Sequence, residues 1–521
     1  MTDGSRSSSG SKPGGELVRW LLPSITDLIF LALLGVLMFT PLSVRLLGDA
    51  GIGWHIRTGQ EILASHAVPR VDSFSSTMEG RPWFAWEWLY DVVVGGLDSA
   101  SGLNGVVWLT ALAIAAVFSG MFQFMIRRGT NLFCALGLVL LATSASMIHF
   151  LARPHIWSWL FALSWFCILD SAERNCELPG RGSRRLWLLP VSMLIWVNVH
   201  GGFLLGFVLI GIFWLGSLWT WLRSSDNRLE DLLGKIGAAR RVRVLTSVGM
   251  LSALASFVNP YGWKLHAHVF SYLSNRFLID HIDEFQSPDF HGIVQKCFLA
   301  LLLFSIAVLI ARGRKLSLSH ILVVLFAVYA GLYASRNIPV SAVLLGMVIG
   351  PLLPSGGSRQ SFPRRMFAVE ACMRGHLWMV TGIVLTVAVV ANGGRVGSAQ
   401  WISAHFDPQR MPVQAVDSLR SQGVSAPILA PDYWGGYLIY RLYPQARVVV
   451  DDRHDLYGEQ FFRSYLKFLH AEEGWEKFLR EHPAGSIVVP RKSALATVLL
   501  ESRGWKETYT DEVAVVFERA D

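Results

Sequence analysis

Charge is scarce in this sequence. Only 16% of its 521 residues are Asp, Glu, Lys or Arg, against 52% hydrophobic residues and 20 Trp. A soluble domain carries about 25% charged residues, so the shortage excludes an ordinary soluble fold. Cysteine is also sparse, at five, and no two of the five have the spacing of a disulfide framework or a CxxC pair. Three of them, Cys134, Cys167 and Cys297, fall in apolar runs, and Cys176 and Cys372 fall in basic loops. HExxH and related spacings are missing too, so a divalent metal, the one cofactor left open, would rest on carboxylates alone. The first twenty residues, rich in Ser and Gly, have no apolar h-region; they read as a disordered tail, not a signal peptide.

What the sequence does have is apolar runs of membrane-spanning length. They lie near 22–42, 104–126, 131–149, 156–171, 186–199, 203–222, 244–258, 293–311, 316–334, 338–354 and 377–392, giving about 11 transmembrane helices. Basic residues follow alternate runs: Arg127 and Arg128, Arg174 to Arg185, Arg223 to Arg243, Arg312 to Lys315, and Arg359 to Arg374. With Arg6, Lys12 and Arg19 ahead of the first run, the positive-inside rule places the N-terminus in the cytoplasm and the C-terminus outside. The net charge of +8 is then a matter of topology, and no nucleic-acid partner follows from it. The expected fold class is an α-helical polytopic membrane bundle, N-in and C-out, with interfacial helices in its first outer loop and a C-terminal extracytoplasmic α/β domain. The expected boundaries are a cytoplasmic tail 1–20, a transmembrane domain 21–392 and an outer domain 393–521.

On this topology the unusual polar residues share one face. "GDAGIGWHIRTGQEI" at 48–62, "HFLARPHIW" at 149–157, "NVHGGF" at 198–203, "NPYGWKLHAH" at 259–268, "DHIDEFQSPDFH" at 280–291 and "ASRNIP" at 334–339 all lie outside. Arg57, Arg153, Arg276 and Arg336 there run against the positive-inside bias. Charged groups at a membrane edge are costly unless they face a cavity or each other, and six such segments on one face point to a shared polar site. Taken singly, each also reads as a snorkelling side chain or a tight turn.

The first outer loop, 43–103, is internally organised. Residues 52–66 alternate apolar and polar as an interfacial helix does, and "GRPWFAWEWLYDVVVGGL" reads as a second, with Trp83, Trp86 and Trp88 at headgroup level. Glu87 and Asp91 share one face of it, which reads as solvated surface charge or, alternatively, as a catalytic pair. From about 393, strands and helices alternate, predicting a small α/β domain with a largely parallel sheet. Its strand ends carry Asp432, Trp434, Asp451 and Arg453, where open sheets bind ligands, but no glycine fingerprint for a nucleotide follows the first strand.

A long first outer loop with an acidic residue directly after span one, two interfacial helices, an N-in bundle and a C-terminal outer domain resemble the GT-C glycosyltransferases, which use lipid-phosphate-linked sugars. The stretches "LARPHIWSWL", "NPYGWKLHAHV", "EFQSPDFHG" and "YWGGYLIYRLYP" with "VVVDDRHDLYG" also resemble a set of bacterial membrane proteins placed near that superfamily. The resemblance implies an integral protein of the bacterial cytoplasmic (inner) membrane, working on its outer face. Its partners would be membrane lipids, a polyprenyl-phosphate-linked sugar and an extracytoplasmic acceptor that is a lipid, glycan or protein. The acidic position is "GDAG", without the adjacent second carboxylate common in that superfamily.

The chemistry follows from residue types. Inverting transfer from a polyprenyl phosphate needs a base for the acceptor hydroxyl and cations for the phosphate charge that grows as the glycosidic bond breaks. Asp49 is the first candidate base, and Asp283 and Glu284 are the alternatives, as base or metal ligand. Arg57, Arg153 and Arg336 suit phosphate through forked contacts. His55, His155 and His200 can donate to sugar or phosphate oxygens, and Trp54 can stack on a sugar face. A surface-polysaccharide polymerase or ligase would share these needs, and a lipid-linked-glycan transporter or flippase would place polar groups on both membrane faces.

Overall fold

The computed structural model describes residues 20–174, 184–224, 228–354, 362–373 and 375–520. The tail ahead of residue 20, Cys176, Arg374 and the basic residues within 175–183 and 355–361 lie outside the described residues. Fourteen helices of the first three quarters position the site. They are α1 (Ile25–Phe39), α2 (Ile52–Ser65), α3 (Trp88–Ser101), α4 (Leu103–Arg127), α5 (Leu132–Ser146), α6 (His155–Arg174) and α7 (Leu188–Val199). There follow α8 (Leu204–Arg223), α9 (Leu229–Ser256), α10 (Trp263–Ser274), α11 (Ile293–Arg312), α12 (Leu318–Tyr333), α13 (Ile338–Ile349) and α14 (Leu377–Ala391).

A helix underlies each expected span. Among the described residues, five helical stretches are long and apolar enough to cross a membrane: Leu103–Arg127, Leu132–His149, Gly201–Arg223, Ile293–Arg312 and Ser335–Leu352. Helices α1, α7 and α12 are apolar but shorter. Local chemistry sets the starts. Ser24 and Asp27 form a reciprocal capping box on α1, Asn131 accepts from the second and third amides of α5, and Ser317 caps α12. Helix α4 is apolar all round, and α1, α3, α5, α6, α13 and α14 pack against it as the centre of the bundle.

The first outer loop differs from its sequence reading. Helix α3 begins only at Trp88, because Pro82 disfavours helical backbone before it and the Ala85 amide donates to Tyr261 Oη at 2.8 Å. Trp83 and Trp54 are buried in the protein core and do not float at headgroup level. Helix α2 is likewise covered, by α3 on one side and by α16 (Asp432–Leu442) on the other.

The C-terminal segment opens with a short ribbon, β1 (Arg395–Val396) and β2 (Ala399–Gln400). It continues through α15 (Val413–Ser421), β3 (Ile428–Leu429), α16, α17 (His454–Leu469), β4 (Ser486–Pro490), α18 (Ala494–Glu501), β5 (Trp505–Thr510) and β6 (Ala514–Arg519). The sheet order is β3-β4-β6-β5. Only β3 and β4 are parallel; β6 runs antiparallel to both neighbours, so the largely parallel sheet is corrected to a mixed one. The short link between β5 and β6 allows only a hairpin. "ARVVVDD" adds no full strand and touches the sheet edge through a single bridge, Ile428 to Val448. One continuous apolar core runs from the bundle through α2 into α15 and α16.

Candidate active site

Four of the six outer segments, 149–157, 198–203, 280–291 and 334–339, line one cavity of about 500 Å³. Its polar end carries Glu87, His149, His155, His200, Glu284 and Arg336. Its apolar flank is built by Leu204, Leu205 and Val208 of α8 and by Phe326, Tyr329 and Tyr333 of α12. Tyr329 is 66% exposed and Tyr333 53%, so the flank continues onto the outer side of the bundle. The other two segments stand directly behind: His55 lies 3.7 Å from Glu87, Tyr261 holds the extended chain before Glu87, and the His268 ring lies 5.1 Å from that of Trp86 on the cavity wall.

Glu87 sits between two imidazoles. Its Oε1 is 3.7 Å from His200 Nε2, and its Oε2 is 3.7 Å from His55 Nε2. His200 Nδ1 accepts the Gly202 amide at 3.0 Å and lies 2.8 Å from Ser158 Oγ, which itself accepts from Trp196 Nε1 at 2.8 Å. The hydrogen of neutral His200 is therefore on Nε2, toward Glu87. His55 Nδ1 is 2.6 Å from Asp91 Oδ1, and its ring stacks on Trp54 with centroids 3.6 Å apart. Burial pushes the Glu87 carboxyl up to about 8, against the pull of Arg153 and Arg336. Burial also raises Asp91, helped by Glu87, and lowers His55, helped by Arg153.

Opposite them, Arg336 Nη1 is 3.3 Å from Glu284 Oε1, and its guanidinium lies 4.4 Å from the centroid of Phe285. Burial would raise Glu284, but Arg336 and Arg153 outweigh it and hold the carboxyl at about 2. His155 Nε2 is 3.0 Å from the His149 carbonyl oxygen, so its second nitrogen is the one left for a ligand.

Other expected site residues are engaged elsewhere. Asp49 does not line the cavity: its Oδ1 accepts the Gly51 amide at 2.8 Å in the turn ahead of α2, and its Oδ2 is 3.5 Å from Arg153 Nε. Arg153 also donates to Asp452 Oδ2 at 2.9 Å, and Asp452 Oδ1 accepts from Trp54 Nε1 at 2.9 Å. Trp54 thus offers no open face for a sugar. Arg57 clasps the Tyr440 carbonyl with two nitrogens and Gln60 with the third, joining α2 to α16. Asp283 is exposed beside the cavity.

The strand-end residues of the C-terminal segment are also bound into the fold. Arg453 forks onto Asp451 at 2.8 and 2.7 Å and reaches Asp72 at 2.7 Å, all three buried. Asp432 pairs with His454 at 2.7 Å and accepts from Tyr465 Oη at 2.8 Å. Trp434 is buried and donates to the Arg410 carbonyl. Among the described residues no three of His, Cys, Asp and Glu are grouped to hold a metal, and the Glu284 carboxylate already faces Arg336. These residues do not fit a divalent ion.

Glu87 is the cavity carboxyl missing from the sequence-based site. Its signal was present: an acid inside "FAWEWLY", with bulky aromatics on both sides and a second acid four residues on, is poorly placed for solvent. The Trp-rich context instead suggested a membrane interface.

No protein-family model and no curated protein sequence matches the chain. Solved structures do. Archaeal oligosaccharyltransferase AglB from Archaeoglobus fulgidus, in complex with an inhibitory peptide and a dolichol-phosphate, is similar with a TM-score of 0.56 at 11% identity, over 97% of this chain and 74% of that one. ArnT from Cupriavidus metallidurans in the apo state gives 0.53 at 14% identity, over 97% and 98%; ArnT has also been solved bound to undecaprenyl phosphate. Arabinofuranosyltransferase AftD from Mycobacteria gives 0.50 at 12% identity, over 95% of this chain and 40% of that one. The chain has a GT-C-like fold, and with its apolar helices it is an integral membrane protein.

Proposed function

We propose that the protein is a membrane glycosyltransferase that moves a sugar from a polyprenyl-phosphate-linked donor to an acceptor outside the cytoplasm. The carrying observation is the two-part cavity. A polar end with one guanidinium and three imidazoles meets an apolar flank that leaves the bundle sideways between α8 and α12. That division matches a charged sugar phosphate on a prenyl chain. Arg336 receives the phosphate, the free nitrogen of His155 accepts a sugar hydroxyl, and the α8–α12 flank receives the lipid. At about 500 Å³ the cavity has the size for one sugar phosphate, which favours a monosaccharide donor over a growing polymer. The solved neighbours hold lipids of this class: a dolichol-phosphate in AglB and undecaprenyl phosphate in ArnT. The membrane is then the bacterial cytoplasmic one, and the 393–521 domain lies outside it.

Binding of undecaprenyl phosphate to the purified protein tests this. Arg336→Lys keeps the charge and loses the forked contact, so affinity is expected to fall about tenfold, or 1.4 kcal/mol. Equal affinity in wild type, Arg336→Lys and Arg336→Ala would remove the cavity as the donor site.

A further inference from the structure

We propose that Glu87 is the base that takes the acceptor proton, and that His55 and Asp91 are positioning residues behind it. The assignment rests on the transferase reading above. Three carboxyls stand near where a donor would bind, and each is held differently. Asp49 is off the cavity, bonded into the turn ahead of α2 and facing Arg153. Glu284 is in the cavity but paired with Arg336. Glu87 is in the cavity, and among the described residues its ion-pair partners are the two imidazoles alone. A carboxylate matched to a guanidinium is a weak base, because taking a proton destroys the pair. For Glu87, taking a proton removes a buried charge that no cation matches.

The surroundings of Glu87 fix its geometry. Asp91 is fully buried, and its Oδ2 has no partner. Its neighbour Tyr90 also buries an unpartnered hydroxyl, and the Tyr90 ring meets the His55 ring edge-on with centroids 5.4 Å apart. So dry a site favours the uncharged pair, in which Asp91 donates its proton to His55 Nδ1 across 2.6 Å. The hydrogen of His55 is then on Nε2, toward Glu87 Oε2, as that of His200 is toward Oε1. Two N–H groups 3.7 Å away face the carboxylate from opposite sides, beyond hydrogen-bond length, and orient it through their dipoles. The charged or titratable groups acting on Glu87 are His55, His200, Arg153, Arg336, Asp455, Glu284, Asp91 and Tyr90.

The step balances without a metal or co-reactant. The acceptor oxygen forms a bond to the anomeric carbon, and the bond from that carbon to the phosphate oxygen breaks. The electron pair leaves on the lipid phosphate, where Arg336 meets it, and the hydroxyl proton passes to Glu87. Activity requires ionised Glu87, so turnover should rise with pH, with its midpoint near pH 8 and its plateau above that.

The test uses the full-length protein in detergent, with undecaprenyl phosphate binding as the fold control and a panel of polyprenyl-phosphate sugars for turnover. Glu87→Gln is expected to keep undecaprenyl phosphate binding and to lose turnover at least a hundredfold, together with an infrared carboxyl band that titrates near pH 8. Asp91→Asn keeps a hydrogen-bond donor to His55 and should retain turnover within about threefold, whereas Asp91→Ala should shift the pH midpoint. Turnover in Glu87→Gln within tenfold of wild type overturns Glu87 as base. Loss of turnover in Asp91→Asn with lipid binding intact overturns the neutral Asp91–His55 pair. A wild type that binds the lipid but turns over no sugar sinks the transferase reading, and the base assignment with it.

Discussion

Glu284 and Arg336 face the cavity as a pair that an incoming phosphate must part. Arg336 holds the Glu284 carboxyl at about 2, so the pair contributes stability that is fully present above the ordinary carboxylate pKa and is lost as pH falls toward 2. Removing the carboxylate frees the guanidinium for the ligand. Glu284→Gln is therefore expected to tighten undecaprenyl phosphate binding by about three- to tenfold, or about 0.7–1.4 kcal/mol, as a partly exposed ion pair is worth about 1 kcal/mol or less. A binding isotherm reads this directly. If Glu284 were instead the base, Glu284→Gln would leave binding unchanged and stop turnover. At this scale the structure brings Arg336, His155 and His200, polar side chains that stand out in an apolar setting, to one cavity. Arg57, Asp451 and Arg453 are just as conspicuous in the sequence, and in the structure they satisfy one another or a backbone carbonyl. Residue type reports that a charge needs a partner, but not whether the partner is the fold or a ligand.

Among elements, α2 carries the greatest constraint, because it is squeezed between two helices at glycine contacts. A Cβ on Gly53 would lie 2.1 Å from the Gly436 carbonyl oxygen of α16, and one on Gly59 would lie 1.8 Å from the Asp91 carbonyl oxygen of α3. Backbone cannot yield as a side chain tip can. Gly59→Ala should therefore push α3 away from α2, moving Glu87 and Asp91 relative to His55. We expect a loss of about 1–3 kcal/mol in stability, visible as a lower Tm, and a loss of turnover. Gly96→Ala, one residue past the crossing, would meet only the Leu63 side chain at 3.6 Å and should be tolerated. Equal stability of the two variants would show that the crossing is loose. The positions of the long helices were legible, since apolar runs near 20 residues have one structural outcome in a bilayer. The packing of α2 was not, because an amphipathic helix facing a membrane and one facing protein have the same periodicity. Nor could alternation alone set strand direction, which the short β5–β6 link decided.

The whole molecule is polarised from end to end. Helices α6 and α8 run from the cavity toward Arg174 and Arg223, and α4 and α11 likewise end on Arg127 and Arg312. Near the far end of α6, Asp170 is buried against Arg128, Arg174 and His320, about 22 Å along the helix from His155. Sequence reasoning had gathered the polar residues on one face and missed this second cluster, which its own ion pairs close. The C-terminal segment packs at the cavity end, through α16 on α2 and through Asp452 on Arg153. Basic ends stay in the cytoplasm, so cavity and C-terminal segment should both lie outside. A reporter active only outside the cytoplasm should therefore be active when fused after residue 400 and silent when fused at 230. The opposite pattern would turn the cavity toward the cytoplasm. An acceptor outside the cell could not then reach Glu87, and the transfer proposed here would have to be replaced by one that works on the inner leaflet.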